Sequence, residues 1–325
     1  MKKVLRNNRG MALILTILVI SLIVALTLQF NASMRSDLQA TANLRDGVKI
    51  GYIAKSGFNY ALGVLSVDSA EGKVDSLHDI WADSKALSEN AAPLFDEGLI
   101  EVKILDHSAR IQVNGLVDEN GEYNAVQKGL LTRFLNSPLF GLYSEDVDNI
   151  VDAIKDWIDG NSEVTRFGAE GTYYQTLEKP HACKNAPLEF LEELLLVRGI
   201  TKELFYGTEK KPGISNYLST YGDGKINVNN AYPLILRALS DDLDDGMVEE
   251  MVSYREDKES DLSDPAWYKT LPGMGDVNIS DELLTTSSTY FEVTSEGLRD
   301  AMAKRISGIV KRTEGKLDTL SWKVE

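Results

Sequence analysis

The chain has 325 residues, with 34 Lys plus Arg against 50 Asp plus Glu and a formal net charge of −16. So acidic a molecule lacks the basic face that non-specific nucleic-acid binding needs to displace counterions. One Cys excludes an intrachain disulfide framework and a cysteine-rich zinc site, and three scattered His (His78, His107, His181) argue against a multi-histidine catalytic metal centre.

The first ten residues carry Lys2, Lys3, Arg6 and Arg9 and no acid, and no further charge appears until Arg35. From Met11 to Leu28 only Thr16, Ser21 and Thr27 are polar. As a helix this run is about 27 Å long at roughly 1.5 Å per residue, close to a hydrocarbon core of about 30 Å. The positive flank stays cytoplasmic, which sends everything after Phe30 outward. Three readings compete. A cleaved signal peptide has a shorter apolar core, and Phe30-Asn31-Ala32-Ser33 is a poor cleavage site. A permanent signal anchor fits the length. A prepilin-type leader, cut between Gly10 and Met11, fits Arg9-Gly10-Met11-Ala12-Leu13.

Apolar residues continue at Leu38, Ala42, Leu44, Val48, Ile53, Phe58, Leu62 and Leu65, in steps that predict an amphipathic helix. Gly51, Gly57 and Gly63 weigh against its being unbroken, each costing about 1 kcal/mol relative to Ala. Residues 67–97 read as a connector with short helical pieces. Leu99 to Ile104 and Ala109 to Asn114 alternate like half-buried strands joined at Asp106-His107-Ser108. Tyr290 to Val293, Arg305 to Val310 and Leu317 to Val324 read as strands too, with a turn at Thr313-Glu314-Gly315-Lys316.

Between these strand groups the text is helical and acidic: Val126–Leu135, Asp146–Ile158, Leu188–Val197, Ala231–Leu239 and Met247–Tyr254. Asn185-Ala186-Pro187 and Asn230-Ala231-Tyr232-Pro233 are candidate helix starts. The expected fold class is α+β: a long N-terminal helix packed on an antiparallel sheet, with a large all-helical domain inserted between strands. The expected divisions are 1–10 (leader), 11–66 (membrane and N-terminal helix), 67–117 with 289–325 (α/β head) and 118–288 (helical insert).

The order of these features resembles the large minor pseudopilin of the type II secretion system, the general secretion pathway protein K family. The residues that carry the resemblance are Arg9-Gly10-Met11-Ala12-Leu13, Asp156-Trp157-Ile158-Asp159, Phe167-Gly168-Ala169-Glu170 with Tyr173-Tyr174, and Leu188 to Ile200. Lys225-Ile226-Asn227-Val228-Asn229-Asn230-Ala231 and the closing strands with Arg305-Ile306 and Ser321-Trp322 complete it. The resemblance implies cleavage by prepilin peptidase between Gly10 and Met11, methylation of the new amine, and a bacterial inner-membrane protein with a periplasmic head. It also implies partners among the I- and J-type minor pseudopilins and a place at the tip of the pseudopilus. The fifth residue after the cut is Leu15, where ordinary pilins carry Glu. A buried charge needs a partner, so Leu suits a subunit with no amine above it.

Asp146, Asp148, Asp152, Asp156, Asp159, Glu163 and Glu170 crowd into 25 residues. Asp146 to Asp156 fall at helical spacings, as on a solvated face. In Asp159-Gly160-Asn161-Ser162-Glu163 oxygen donors alternate in a Gly-containing loop, chemistry that Ca²⁺ accepts, although EF-hand spacing is absent. The resemblance implies calcium in the insert, and Asp159, Asn161, Glu163 and Glu170 are the candidate ligands of a structural Ca²⁺. Asp118-Glu119-Asn120-Gly121-Glu122 and Asp241-Asp242-Leu243-Asp244-Asp245 are weaker candidates.

Three rivals remain. A membrane-anchored hydrolase lacks G-x-S-x-G, H-E-x-x-H and S-x-x-K motifs, and Cys183 has no orienting partners, so no catalytic residues are assigned. A helix-hairpin-helix nucleic-acid module would use Leu271-Pro272-Gly273-Met274-Gly275, but Asp276 follows where basic residues are needed. A tip minor pilin of a type IV pilus shares the same fibre physics.

Overall fold

The computed structural model describes residues 9–72, 74–95 and 98–325. Helix α1 (Arg9–Glu71) runs 63 residues without a break. Along Met11 to Met34 its large apolar side chains are exposed all round, and it is long and apolar enough to cross a membrane. Farther on, Ile50, Ile53, Ala54, Phe58, Ala61 and Leu65 are buried in one stripe at helical spacing. The interior glycines do not end the helix, and Gly57 has a packing reason. A Cβ there would lie 2.3 Å from both Ile100 Cδ1 and Ser295 Oγ, so the helix could not sit this close to the sheet.

After α1 come α2 (Ser84–Ala91) and strand β1 (Leu99–Asp106), whose buried and exposed residues alternate. The outer edge of β1 is covered by α2: the Val102 N–H donates to Ser88 Oγ at 2.9 Å, which removes a ladder group open to other strands. The remaining elements run β2 (Ile111–Gln112), α3 (Ala125–Leu135), α4 (Ser144–Ile158), α5 (Gly171–Tyr174) and α6 (Lys202–Tyr206). Then follow β3 (Leu218–Ser219), β4 (Ile226–Asn227), α7 (Pro233–Ala238), α8 (Asp245–Glu256) and β5 (Leu284–Thr285). The chain closes with β6 (Tyr290–Arg299), β7 (Met302–Thr313), β8 (Lys316–Thr319) and β9 (Lys323–Val324).

The main sheet is antiparallel in the order β1-β6-β7-β8, with β9 also on β7. Strands from both ends of the sequence therefore lie side by side: Leu99 faces Leu298 and Asp106 faces Phe291. β8 and β9 occupy one edge of β7, interrupted where the Ile309 N–H donates to Ser321 Oγ at 3.0 Å. The head core joins Phe58 and Leu65 of α1, Trp81, Leu87 of α2, Ile100 to Ile104 of β1, and Phe291, Val293, Ile306 and Val310. A second, larger core gathers the apolar residues of the segment between β1 and β6.

Three local expectations are corrected. Ala109 to Asn114 does not return as a hairpin on β1. The Asp106 carboxylate accepts the Ser108 N–H at 2.7 Å and turns the chain away, and Ile111 then pairs in parallel with Leu218. The intervening segment is helical with two short parallel pairs, β2·β3 and β4·β5, so strand pairing is not confined to the head. Leu188 to Val197 tightens to a 3₁₀ turn over Leu191–Leu196, because the Glu193 carboxylate takes the N–H groups of Glu189 and Phe190 at its start.

Candidate functional site

Gly10, Met11 and Leu15 occupy the first turns of α1. Residues 1–8 of the basic leader lie outside the described residues. Leu15 is 66% exposed and Met11 is exposed as well. A Cβ added at Gly10 would meet no atom within 4 Å. Within the apolar stretch Thr16 donates to the Leu13 carbonyl and Thr27 to the Ile23 carbonyl, each at 2.8 Å. That back-bonding lets the hydroxyls sit in hydrocarbon without an unmet donor.

The acidic region is organised by α4. Asp146 and Asp148 face solvent, but Asp152, Asp156 and Asp159 are buried. Asp152 accepts from Tyr123 Oη at 2.5 Å and from the Phe167 N–H at 3.2 Å, with Lys128 Nζ at 3.6 Å. Both Asp156 oxygens take the Thr165 N–H, at 3.0 and 3.1 Å. Asp159, the C-cap of α4, pairs with Lys155 Nζ at 2.6 Å one turn back. Lys155 and Lys128, which sequence reasoning passed over, supply the internal counter-charge. The Lys155–Asp159 spacing of four residues was the available signal.

Of the four candidate ligands, Asp159 and Glu170 are buried while Asn161 and Glu163 lie in the exposed loop after α4. The Asn161 side chain accepts from the Glu163 N–H at 2.7 Å, and Asp159 accepts from the Asn161 N–H at 3.3 Å. The carboxylate oxygens of Asp159, Glu163 and Glu170 do not converge within 4.8 Å; among the described residues Asp68, Asp75 and Asp79 are the acids that do. Yet Glu170 carries an unmet demand. One oxygen accepts from the Gly171 N–H at 3.2 Å, and the other, Oε1, is buried with no well-formed hydrogen bond and only the weakly donating Cys183 thiol near the carboxylate. Burial, with the Asp156 and Asp159 charges adding to it, pushes the Glu170 carboxyl up. A cation would answer both, so among the candidate acids Glu170 is the one with a demand that a hard divalent ion would meet. The 118–122 turn abuts this loop, for a Cβ on Gly121 would stand 4.0 Å from Asn161 and Asp159 atoms.

The Asp68, Asp75 and Asp79 group already surrounds a guanidinium. Arg312 on β7 bonds Asp68 at 2.8 Å, Asp75 at short range and the Ser288 carbonyl at 3.0 Å. This cluster continues into a buried polar seam between sheet and helical segment. Asn227 Nδ2 donates to the Asp75 carbonyl and to Ser288 Oγ, and Asn230 Nδ2 donates to Asp106 at 2.7 Å. Asn229 holds the Leu262 carbonyl and accepts from Trp267 Nε1 at 2.9 Å. The 226–231 run thus serves packing, and it reaches the 267–275 turn through that bond.

Among the described residues a Ser–His–Glu line-up occurs: His107 Nδ1 is 2.9 Å from Ser219 Oγ, and Nε2 is 3.1 Å from Glu292. Ser219 is buried and its hydroxyl is already bonded to the Tyr221 main chain through both N–H and carbonyl. A nucleophile needs room for a substrate carbonyl, and this one has none. Burial pushes the Cys183 thiol up to about 12, far from a reactive thiolate.

Residues 109–209 match the family described as Type II secretion system (T2SS), protein K. Type II secretion system protein K of Aeromonas hydrophila is 26% identical, the match covering 96% of this chain and 96% of that protein. Its counterpart from Pseudomonas aeruginosa is 25% identical over 97% of this chain and 92% of that protein. In three dimensions the chain is similar to a chain of the GspK–GspI–GspJ complex from enterotoxigenic Escherichia coli. The TM-score is 0.71 at 18% identity, over 88% of this chain and 99% of that one. With a long apolar N-terminal helix, an antiparallel head and a helical segment set between β1 and β6, the chain is similar to type II secretion system protein K over nearly its whole length.

Proposed function

We propose that this minor pseudopilin caps the tip of the type II secretion pseudopilus, helping to start its assembly and to drive protein export across the outer membrane. The carrying observation is the mismatch between a slender rod and a wide head. α1 is a single 63-residue rod, apolar at one end, that can pack beside similar rods. The segment between Asp106 and Tyr290 adds a second core of its own to the head. A head of that width does not repeat in a close helical array, so growth stops above it. Leu15 in place of the usual Glu agrees with a subunit that has no neighbour overhead.

In this reading prepilin peptidase removes the first ten residues and methylates Met11, and the helix then holds the chain in the inner membrane with its head in the periplasm. The neighbours are the I- and J-type pseudopilins, as in the solved complex of the related chain. Ca²⁺, held by Asp159 and Glu170 with Asn161 and Glu163 from the exposed loop, orders the loop after α4 and takes no part in catalysis. Raising the level of this chain against the other pseudopilins should shorten the fibres seen by electron microscopy. Fibre length independent of its level would overturn the capping role.

A further inference from the structure

The loop that follows the acidic turn is pinned at two points and bulges between them. Asp156 takes the Thr165 N–H and Asp152 takes the Phe167 N–H, both carboxylates pointing inward from α4. Arg166, the residue between the two anchors, is forced to φ +33°, in the left-handed region that a side chain of this size rarely adopts. Strain of this kind persists only where the surroundings impose it, and it turns Arg166 and Phe167 outward. Phe167 is 40% exposed and Val164 53%.

Beside them a second guanidinium is fixed in place. Arg198 donates to the Phe167 and Gly168 carbonyls at 3.4 and 3.2 Å. The Arg166 guanidinium lies 4.5 Å from the Phe167 ring centre, and that of Arg198 lies 5.1 Å from the Tyr173 ring centre. Among the described residues no carboxylate pairs with either guanidinium. Their neighbour Asp156 is spent on the Thr165 N–H, and Asp152 on the Phe167 N–H, Tyr123 and Lys128. In a molecule of net charge −16 this is a local cationic and aromatic face. Arg and aromatic side chains held rigid and half-exposed are the composition that protein interfaces select.

We infer that Arg166, Phe167, Tyr173 and Arg198 form a docking face for an acidic, extended peptide segment of another protein, its carboxylates on the two guanidinium groups and an apolar side chain on Phe167. Two copies each of net charge −16 repel one another as whole molecules, which favours a segment of a different protein as the occupant. The inference stands apart from the capping role and from the cation, since both anchors are protein carboxylates.

The test uses the full chain in detergent and two fluorescein-labelled peptides. One alternates Asp or Glu with Leu or Phe, and the other carries Asn and Gln in place of the acids. Fluorescence anisotropy should show the acidic peptide binding roughly tenfold tighter or more, with affinity falling as salt rises. Arg166→Glu should abolish that preference. Arg166→Gly is the control for folding, because Gly relaxes the left-handed backbone and leaves the chain at least as stable, yet it should also lose the preference. Arg237→Glu, on the exposed side of α7, should leave it intact. Equal binding of both peptides, an unaffected Arg166→Gly variant, an equal loss in Arg237→Glu, or a face occupied by a second copy in sedimentation would each overturn the inference.

Discussion

Ser288, on the segment that returns from the helical region, donates its hydroxyl to Asp106 at 2.5 Å, across 182 residues of chain. Asp106 is the last residue of β1, so this bond closes the point where the chain leaves the sheet against the point where it comes back. The other donors to that carboxylate are Asn230, Asn227 and the Ser108 N–H. All are neutral, and among the described residues no cation pairs with it. A buried carboxylate served only by neutral groups is held part-way to its protonated form, since desolvation outweighs the hydrogen bonds.

Burial raises the Asp106 carboxyl from 3.8 to about 6. A raised acid binds its proton more tightly in the folded state, so its stabilising effect is complete below pH 3.8 and is lost as pH climbs through 6. That difference corresponds to on the order of 3 kcal/mol. Asp68, also raised to about 6 by burial, acts in the same direction. Asp106→Asn should therefore flatten the change in thermal stability between pH 5 and pH 7 relative to the parent. Identical slopes for the two proteins would show that Asp106 does not titrate there.

How much of this was legible in the sequence depends on the range of the interaction. The spacing of Ile53, Phe58 and Leu65 gave the buried stripe of α1, whereas Leu38, Leu44 and Val48 of the same series are exposed, and the alternation of Leu99 to Ile104 gave β1 as a local pattern that burial enforces. The glycines of α1 misled, since the reason for Gly57 lies on β1 and β6, at Ile100 and Ser295. Asp152 and Asp156 looked like a solvated face. Their partners, Phe167 and Thr165, sit in the following loop, and acids spaced at i and i+4 do not announce that they turn inward. The pairing of Ile111 with Leu218 depends on a contact more than a hundred residues away that no local pattern encodes.

The close approach at Gly57 makes a strong prediction. Gly57→Val places methyl groups where Ile100 and Ser295 already stand, and overpacking of this kind costs about 1–3 kcal/mol or more. Gly63→Val, with nothing within 4 Å of its Cβ, should cost little beyond helix propensity. Chemical denaturation of the two variants side by side should separate them clearly. Equal stability would mean that the helix and sheet lie farther apart than described.

Chelation tests the cation. If an ion answers the unpartnered Glu170 Oε1, removing it leaves buried carboxylates repelling one another, and the melting temperature falls in chelator. Glu170→Gln should be insensitive to chelator, because an amide neither repels its neighbours nor attracts a divalent ion. Asp159→Ala with Glu163→Ala should be insensitive too. A parent protein whose melting curve is unchanged by chelator would remove calcium from the account.

Processing at Gly10 can be probed without disturbing the fold. A side chain there meets nothing within 4 Å and lies far along α1 from the head, so Gly10→Leu should leave the head as stable as before. What the change removes is the small residue that a peptidase must seat before Met11. The parent recovered from membranes should begin at Met11 and weigh one methyl group more than its sequence, whereas Gly10→Leu should retain Met1 and fail to support secretion. Because the stability of the head is measured in the same preparation, a loss of secretion with a normal melting curve points to the missing cleavage. Normal mass and normal secretion after Gly10→Leu would separate this chain from the leader-processed pseudopilins. Its apolar helix would then be a permanent anchor whose first residues never leave.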